Sequence, residues 1–319
     1  VDDQENSHLK ISISILIDNM SEFNNDLFLE PKTTQYGSHM IMSNVHKTAK
    51  KKFISIDTRF RDEYNYSQLI NYNITIPERI TEVKTMKVVC AEIPISFYNI
   101  SVALGNSFFS VTYNGTSKVV TVPDGQYDNA GLISAITAKL NALSLTGISC
   151  STTVNYCSFT TNNTTILNFA VNSDGTNDKY NFKTKLGWVL GFRQPSYTMK
   201  SPVTSVTSEA LIDCNGPRYL YLAIDEFNKG NQSSFIPPLY KSLVNKNIIA
   251  RIALDKPQGF DFGKILPANL TNGLLVSDNR SYSGKIDLMK LNVQLLSENG
   301  TIMNLNGLDI SFCLEITHE

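Results

Sequence analysis

The sequence predicts an all-β protein built as an antiparallel β-sandwich. Three observations lead there. Polar and apolar residues alternate over many short segments, as in Phe53-Ile54-Ser55-Ile56-Asp57 and Tyr72-Asn73-Ile74-Thr75-Ile76-Pro77, and a period of two marks a strand with one buried face. Turn residues punctuate the joints, at Asn114-Gly115, Pro237-Pro238 and Pro257-Gln258-Gly259. Helical periodicity is sustained in a single stretch. Long strands, irregular connections and few helices belong to sandwiches.

Taken in order, Lys10-Ile11-Ser12-Ile13-Ser14-Ile15 alternates and reads as a strand. Asn24-Asn25-Asp26 and Glu30-Pro31-Lys32 then break any element, and a basic cluster runs from His46 to Lys52. Residues 1–50 are expected to form an N-terminal arm. A short strand cannot bury its own face, so it either pairs with another edge or waits for a partner. The other reading is an extra edge strand of the same domain. The body, 51–319, opens with a strand at Phe53–Asp57 and a charged loop from Asp57 to Glu63. Strands follow at Tyr72–Pro77 and at Val83–Ile93, the latter closed by Pro94. Phe108–Tyr113 and Val119–Val122 flank the Asn114-Gly115 turn as a hairpin. Leu132, Ile136, Leu140 and Leu143 then recur at helical spacing, with Asp128 or Asn129 as cap, and predict an amphipathic helix over 129–143. Short strand pieces fill 147–171, and a short helix within Lys185–Phe192 ends at Gly191. Strands are predicted at Leu211–Asp213, Tyr219–Ile224, Ile248–Leu254, Ile286–Leu296 and Leu308–Thr317.

Composition bounds the function. In 319 residues, 42% are hydrophobic, enough for a substantial core. Only 18% are charged and the formal net charge is −1, which argues against nucleic-acid or membrane binding by global charge. No apolar run of about 18 residues predicts a membrane span, and no secretory signal is expected. The cysteines, Cys90, Cys150, Cys157, Cys214 and Cys313, are odd in number and lack metal-ligand spacing; they read as buried free thiols in a reducing compartment. The histidines, His8, His39, His46 and His318, lie near the ends, so no histidine-based metal site or triad is expected in the body. Nucleotide-loop, nucleophile-elbow and zinc-protease motifs are absent from the sequence. The expectation is a structural or interaction protein, not an enzyme, without cofactor, metal or small-molecule substrate.

The densest charge cluster in the body is Asp57, Arg59, Arg61 and Asp62, followed by Tyr64 and preceded by Lys50, Lys51 and Lys52. Guanidinium groups in such a cluster can hold a carboxylate or phosphate bidentately. The same residues also make an ordinary loop salt-bridge network or a subunit contact. These eight residues are the interface candidates.

Three ordered segments carry a resemblance. Phe53-Ile54-Ser55-Ile56-Asp57-Thr58-Arg59-Phe60-Arg61-Asp62 leads through Ile80-Thr81-Glu82-Val83 to Glu92-Ile93-Pro94-Ile95-Ser96-Phe97-Tyr98-Asn99-Ile100. Val122-Pro123-Asp124-Gly125-Gln126-Tyr127 precedes the helix, and Leu186-Gly187-Trp188-Val189-Leu190-Gly191-Phe192 follows later. Together they resemble the penton proteins and related minor capsid proteins of nucleocytoplasmic large DNA viruses; Thr58 stands where that family commonly has Ser. The resemblance implies a single jelly roll with no activity and no cofactor. Because the body is long for a bare jelly roll, it also implies a decorating insertion at 115–205 that holds the helix. It further implies a virion location at the capsid vertex, with assembly in the reducing host cell interior. The implied partners are copies of the chain itself in a homopentamer, the major capsid protein and minor capsid proteins, with the arm touching an inner layer or internal membrane. Another minor capsid role in the same kind of virus, or a jelly-roll module binding carbohydrate or a receptor through its insertion, are the alternatives.

Overall fold

The computed structural model describes residues 29–36, 39–46, 48–62, 69–178, 180–227, 231–232, 247–254 and 262–319. The strand predicted at Lys10–Ile15 lies outside these residues, as does Tyr64. Among the described residues, β1 (Leu29–Tyr36) and β2 (His39–His46) pair only with each other, as an antiparallel two-stranded sheet.

The main sheet is antiparallel throughout. It holds β3 (Lys50–Asp57), β4 (Asn71–Pro94), β12 (Tyr219–Asp225), β14 (Ile248–Ala253), β16 (Leu275–Ser277), β17 (Arg280–Ser297) and β18 (Ser311–His318), in the order β16-β14-β12-β17-β4-β18-β3. β13 (Asn231–Gln232) joins β17, and β15 (Ile265–Asn269) joins β4.

Two long strands make the sandwich. β4 and β17 pair as one ribbon, from Asn71 opposite Gln294 to Met86 opposite Arg280, with register shifts between Ser281 and Lys290. Those shifts mark a corner, and Glu82 sits there with φ 56°. Past the corner, β4 gains β18 on one side, and beyond Met86 it exchanges β17 for β15 on the other. The ribbon bends far enough to bring both ends of β4 to one short segment. The Ile70 amide donates to the Met303 carbonyl at 2.9 Å, and the Ser96 hydroxyl donates to the Leu305 carbonyl at 2.6 Å. A single apolar core then draws on both halves: Ile74, Val83, Val88 and Ile93 from β4, Leu222 from β12, Ile252 from β14, Val293 from β17 and Leu314 from β18. This is the jelly-roll arrangement, an antiparallel ribbon folded over onto itself.

Pro77 does not end a strand, contrary to the sequence reading. It falls within β4, in the gap between Thr75 (opposite Lys290) and Ile80 (opposite Leu288), where the ladder loses register and the missing N–H costs nothing.

Between β4 and β12 the chain leaves the main sheet and builds a second unit. β5 (Phe108–Tyr113) and β6 (Thr116–Thr121) form the expected hairpin over Asn114 and Gly115, both with positive φ. β9 (Thr165–Asn168) and β10 (Ser196–Met199) complete that sheet. β7 (Ile148–Thr153), β8 (Tyr156–Thr161) and β11 (Ser205–Thr207) form another. α1 (Asn129–Ala142) buries Leu132, Ile133, Ile136 and Leu140. Its cap is Asp128, whose carboxylate accepts from the Gly131 amide at 2.7 Å, a contact worth about 1 kcal/mol. The unit has its own core, from Ile100 to Cys214, around the packed rings of Phe109, Phe159, Phe169 and Phe192.

Two further expectations change. Leu211–Asp213 is not a strand; it is a crossing segment whose amides reach a turn carbonyl and a helix-end carbonyl, Ile212 to Asn155 and Asp213 to Val189, both at 2.8 Å. Cys90 and Cys313 are half-buried, because they lie opposite each other on the outer face of β4 and β18; Cys150, Cys157 and Cys214 are buried, and all five are free.

Candidate functional site

β3 runs as an edge strand toward the charged turn. At its end Asp57 caps a 3-10 turn, Thr58–Phe60, accepting from the Arg59 amide at 2.9 Å. The Arg59 side chain folds back onto the same carboxylate, with Nε 3.0 Å from both oxygens and Nη2 2.6 Å from Oδ2. That hydrogen bonding holds the Asp57 carboxyl below its usual range, against the opposing effect of burial. Arg59 is therefore engaged within its own turn, with its guanidinium also over the exposed Phe60 ring at 5.8 Å.

Thr58 ties this turn to the other end of the chain. Its hydroxyl donates to Asp309 Oδ1 at 2.6 Å and accepts from the Ile310 amide at 3.0 Å. Arg61 is half-buried, and its charge acts on the phenol of Tyr72, whose pKa is raised by burial. Asp62 faces β4 and β17: it accepts from the Thr75 amide at 2.6 Å and hydroxyl at 2.8 Å, and lies 3.6 Å from Lys290. Burial raises its pKa, but the Thr75 bonds and Lys290 outweigh that and leave it lowered. Asp57 and Arg59 are brought into direct contact, whereas Asp62 turns to different partners.

The three lysines stand at the opposite end of β3. Lys51 lies 3.1 Å from Glu315 and Lys52 2.8 Å from Glu78, while Lys50 is exposed and lies opposite His318 in the ladder. Exposed pairs of this kind contribute little to stability. What β3 presents outward is more distinctive. Its far edge has no strand partner among the described residues, and Phe53 is 62% exposed in its middle.

A second feature went unread in the sequence. Where the inserted unit meets the sandwich, Asn99 links three segments. Its Nδ2 donates to the Tyr127 carbonyl at 2.7 Å and to the Cys214 carbonyl at 2.5 Å, and its Oδ1 accepts from the Tyr127 amide at 2.9 Å. Ile100 and Gly125 exchange backbone bonds beside it. The three segments that carry the family resemblance thus meet at this junction and in the core beyond it. Gly187 and Gly191 belong to the third: a Cβ on Gly187 would fall 2.3 Å from the Phe169 ring, and one on Gly191 2.0 Å from the Ala210 carbonyl.

Below the junction lies a cleft of about 400 Å³ between the inserted unit and the sandwich. Arg193 stacks over Trp188 at 4.0 Å, held by bonds to the Trp188 and Phe192 carbonyls at 3.0 Å each. Arg218, Asp213 and Glu298 face the same space. The signal for it was the chain's single tryptophan followed closely by an arginine. Among the described residues, no group of three or more His, Cys, Asp or Glu is arranged to hold a metal ion.

The mavirus penton protein is a similar solved structure. Its TM-score is 0.43 at 11% identity, over 85% of this chain and 99% of that one. At that distance the likeness assigns neither family nor function. No protein-family model and no curated protein matches the chain.

Proposed function

We propose that this chain is a structural virion protein, a penton whose five copies ring the fivefold vertex of a large DNA virus capsid. In that role it contacts the major capsid protein and minor capsid proteins. The observation that carries this reading is the meeting of the resembling segments. Asn99 of the first bonds Tyr127 of the second, and the third packs into the core that those residues open. Segments that meet in space act as a unit that specifies one architecture.

The placement of the appendages supports the same reading. Lys50, where the N-terminal arm enters β3, lies opposite His318, which pairs with Val83 at the ribbon corner. The inserted unit leaves after β4 and returns before β12, at the other end, beside the segment that bridges Ile70 and Ser96. A decorating insertion and an arm at opposite poles fit a vertex protein with one face outward and one inward. Residues 1–50 are the arm in this reading, and Asp57, Arg59, Arg61, Asp62, Tyr64 and Lys50 to Lys52 contribute to contacts between neighbours.

The cleft favours a second reading, a module that binds carbohydrate or a receptor through the inserted unit. Cryo-electron microscopy of particles separates the readings. Five copies around the fivefold axis support the penton. Density beneath the facets moves the chain to another minor capsid role, and absence from the particle favours the binding module.

A further inference from the structure

We infer that β2 of one copy adds as a strand to the open edge of β3 in a neighbouring copy. The inference names a surface for the self-assembly proposed above, and rests on that reading only for the number of copies.

Among the described residues, no strand pairs with the far edge of β3 along any of its eight residues. An edge of that length presents a row of unpaired backbone donors and acceptors, which proteins usually cover or guard. Here the guard is partial. Lys50 to Lys52 protect the first part of the strand, but Phe53 to Asp57 carry no lysine or proline. In that second part, Phe53 is 62% exposed on the outer face, and Ile54 is only half-buried at the margin of the core. A strand laid along this edge would satisfy the backbone and cover both side chains.

β1 and β2 pose the complementary problem. Each has eight residues, and among the described residues each pairs with nothing but the other. An isolated two-stranded hairpin is marginal in water and needs a further strand or a packing face. Its two edges differ in sequence. β1 contains Glu30, Pro31 and Lys32, which guard an edge, whereas β2, His39-Met40-Ile41-Met42-Ser43-Asn44-Val45-His46, has no proline and no Asp, Glu, Lys or Arg. β2 is therefore the adhesive edge, and it matches β3 in length. The contact is head-to-tail, because the donor strand and acceptor edge are different surfaces, and such contacts close into a ring when the rotation between copies closes and otherwise extend into a filament.

The test uses the full chain. Unlabelled and nitrogen-15-labelled protein are mixed, treated with a lysine-reactive cross-linker, and mapped by mass spectrometry for links between Lys32 and Lys50 to Lys52. Amide exchange of Phe53 to Asp57 is followed across protein concentration, and native mass spectrometry counts the copies. The inference expects isotopically hybrid links, exchange slowed about tenfold in the assembled form, and loss of both effects in Ile41→Pro/Ser43→Pro. The far-ultraviolet circular dichroism of that variant, measured on dilute protein, should keep the signal of the folded sheets, so that lost links report on the β2 edge and not on unfolding. Links within single copies only, or exchange independent of concentration, overturn it. Hybrid links in an assembly of other than five copies uphold the strand pairing and sink the penton reading; a five-copy ring without hybrid links does the reverse.

Discussion

Asn99 and Tyr127 clasp each other by two reciprocal hydrogen bonds, amide to carbonyl at 2.7 Å and backbone N–H to side-chain oxygen at 2.9 Å. The same Asn99 amide reaches Cys214 on the return segment. One side chain therefore closes both the entry and the exit of the inserted unit. Asn99→Ala strands the Tyr127 amide and two carbonyls at a buried site, at about 1–3 kcal/mol for each group left unmet. The expected outcome is a loss of about 3 kcal/mol in urea unfolding. Asn99→Asp sets a buried carboxylate oxygen against the Tyr127 and Cys214 carbonyls, and should cost at least as much as Ala.

Gly191 adopts φ 91° with the Ala210 carbonyl where a Cβ would stand. Gly191→Ala combines backbone strain with a collision and should cost more than about 2 kcal/mol. Gly105 has φ 76° but open space around it. Gly105→Ala isolates the backbone cost, about 1 kcal/mol. Equal losses in thermal melts of the two variants would show that the Ala210 contact does not matter.

Asp178 pairs with the buried Lys185 at 3.0 Å. Burial raises its pKa, but hydrogen bonds from Asn181 and Lys185 prevail and leave it lowered in the folded state. A carboxylate with a depressed folded pKa stabilises above its unfolded value, about 3.9, and that contribution disappears as pH falls through the folded value. Melting temperatures of the natural chain and Asp178→Asn should differ most near neutrality and converge in acid. A gap that persists to the lowest pH would assign the effect to lost packing.

Thiol accessibility gives a further measurement. Cys90 and Cys313 are half-buried, while Cys150, Cys157 and Cys214 are buried. Burial raises the pKa of both half-buried thiols, so their reaction should be slow but measurable. Titration of native protein with a disulfide reagent should modify two thiols, and denaturant should release the other three.

Much of the fold was legible because its rules are local. Alternation placed β3, strand-like runs placed β12, β14 and β18, the Asn114-Gly115 pair placed a hairpin, and Asp128 with four spaced apolar residues placed α1. What escaped depends on distant partners. Pro77 looks like a terminator until β17 is seen to lose register beside it. Leu211–Asp213 has strand composition, but its amides find carbonyls at the Asn155 turn and at the helix end, Val189. At the candidate site, the charge cluster was visible, yet its division was not. Spacing alone cannot tell that Arg59 turns back on Asp57 while Asp62 turns to Thr75. Asn99 was a letter within a motif, and its role needs two partners, one 28 and one 115 residues away.

The bent ribbon also sets an order of events during synthesis. Asn71 emerges long before its ladder partner, Gln294, which follows 223 residues later (294 − 71). The core of the inserted unit is complete once Cys214 has been made. Chains fold as their contiguous units become available, and long-range pairings wait. The appendage therefore becomes the first part able to fold, and the jelly roll that carries it closes last around a piece already made.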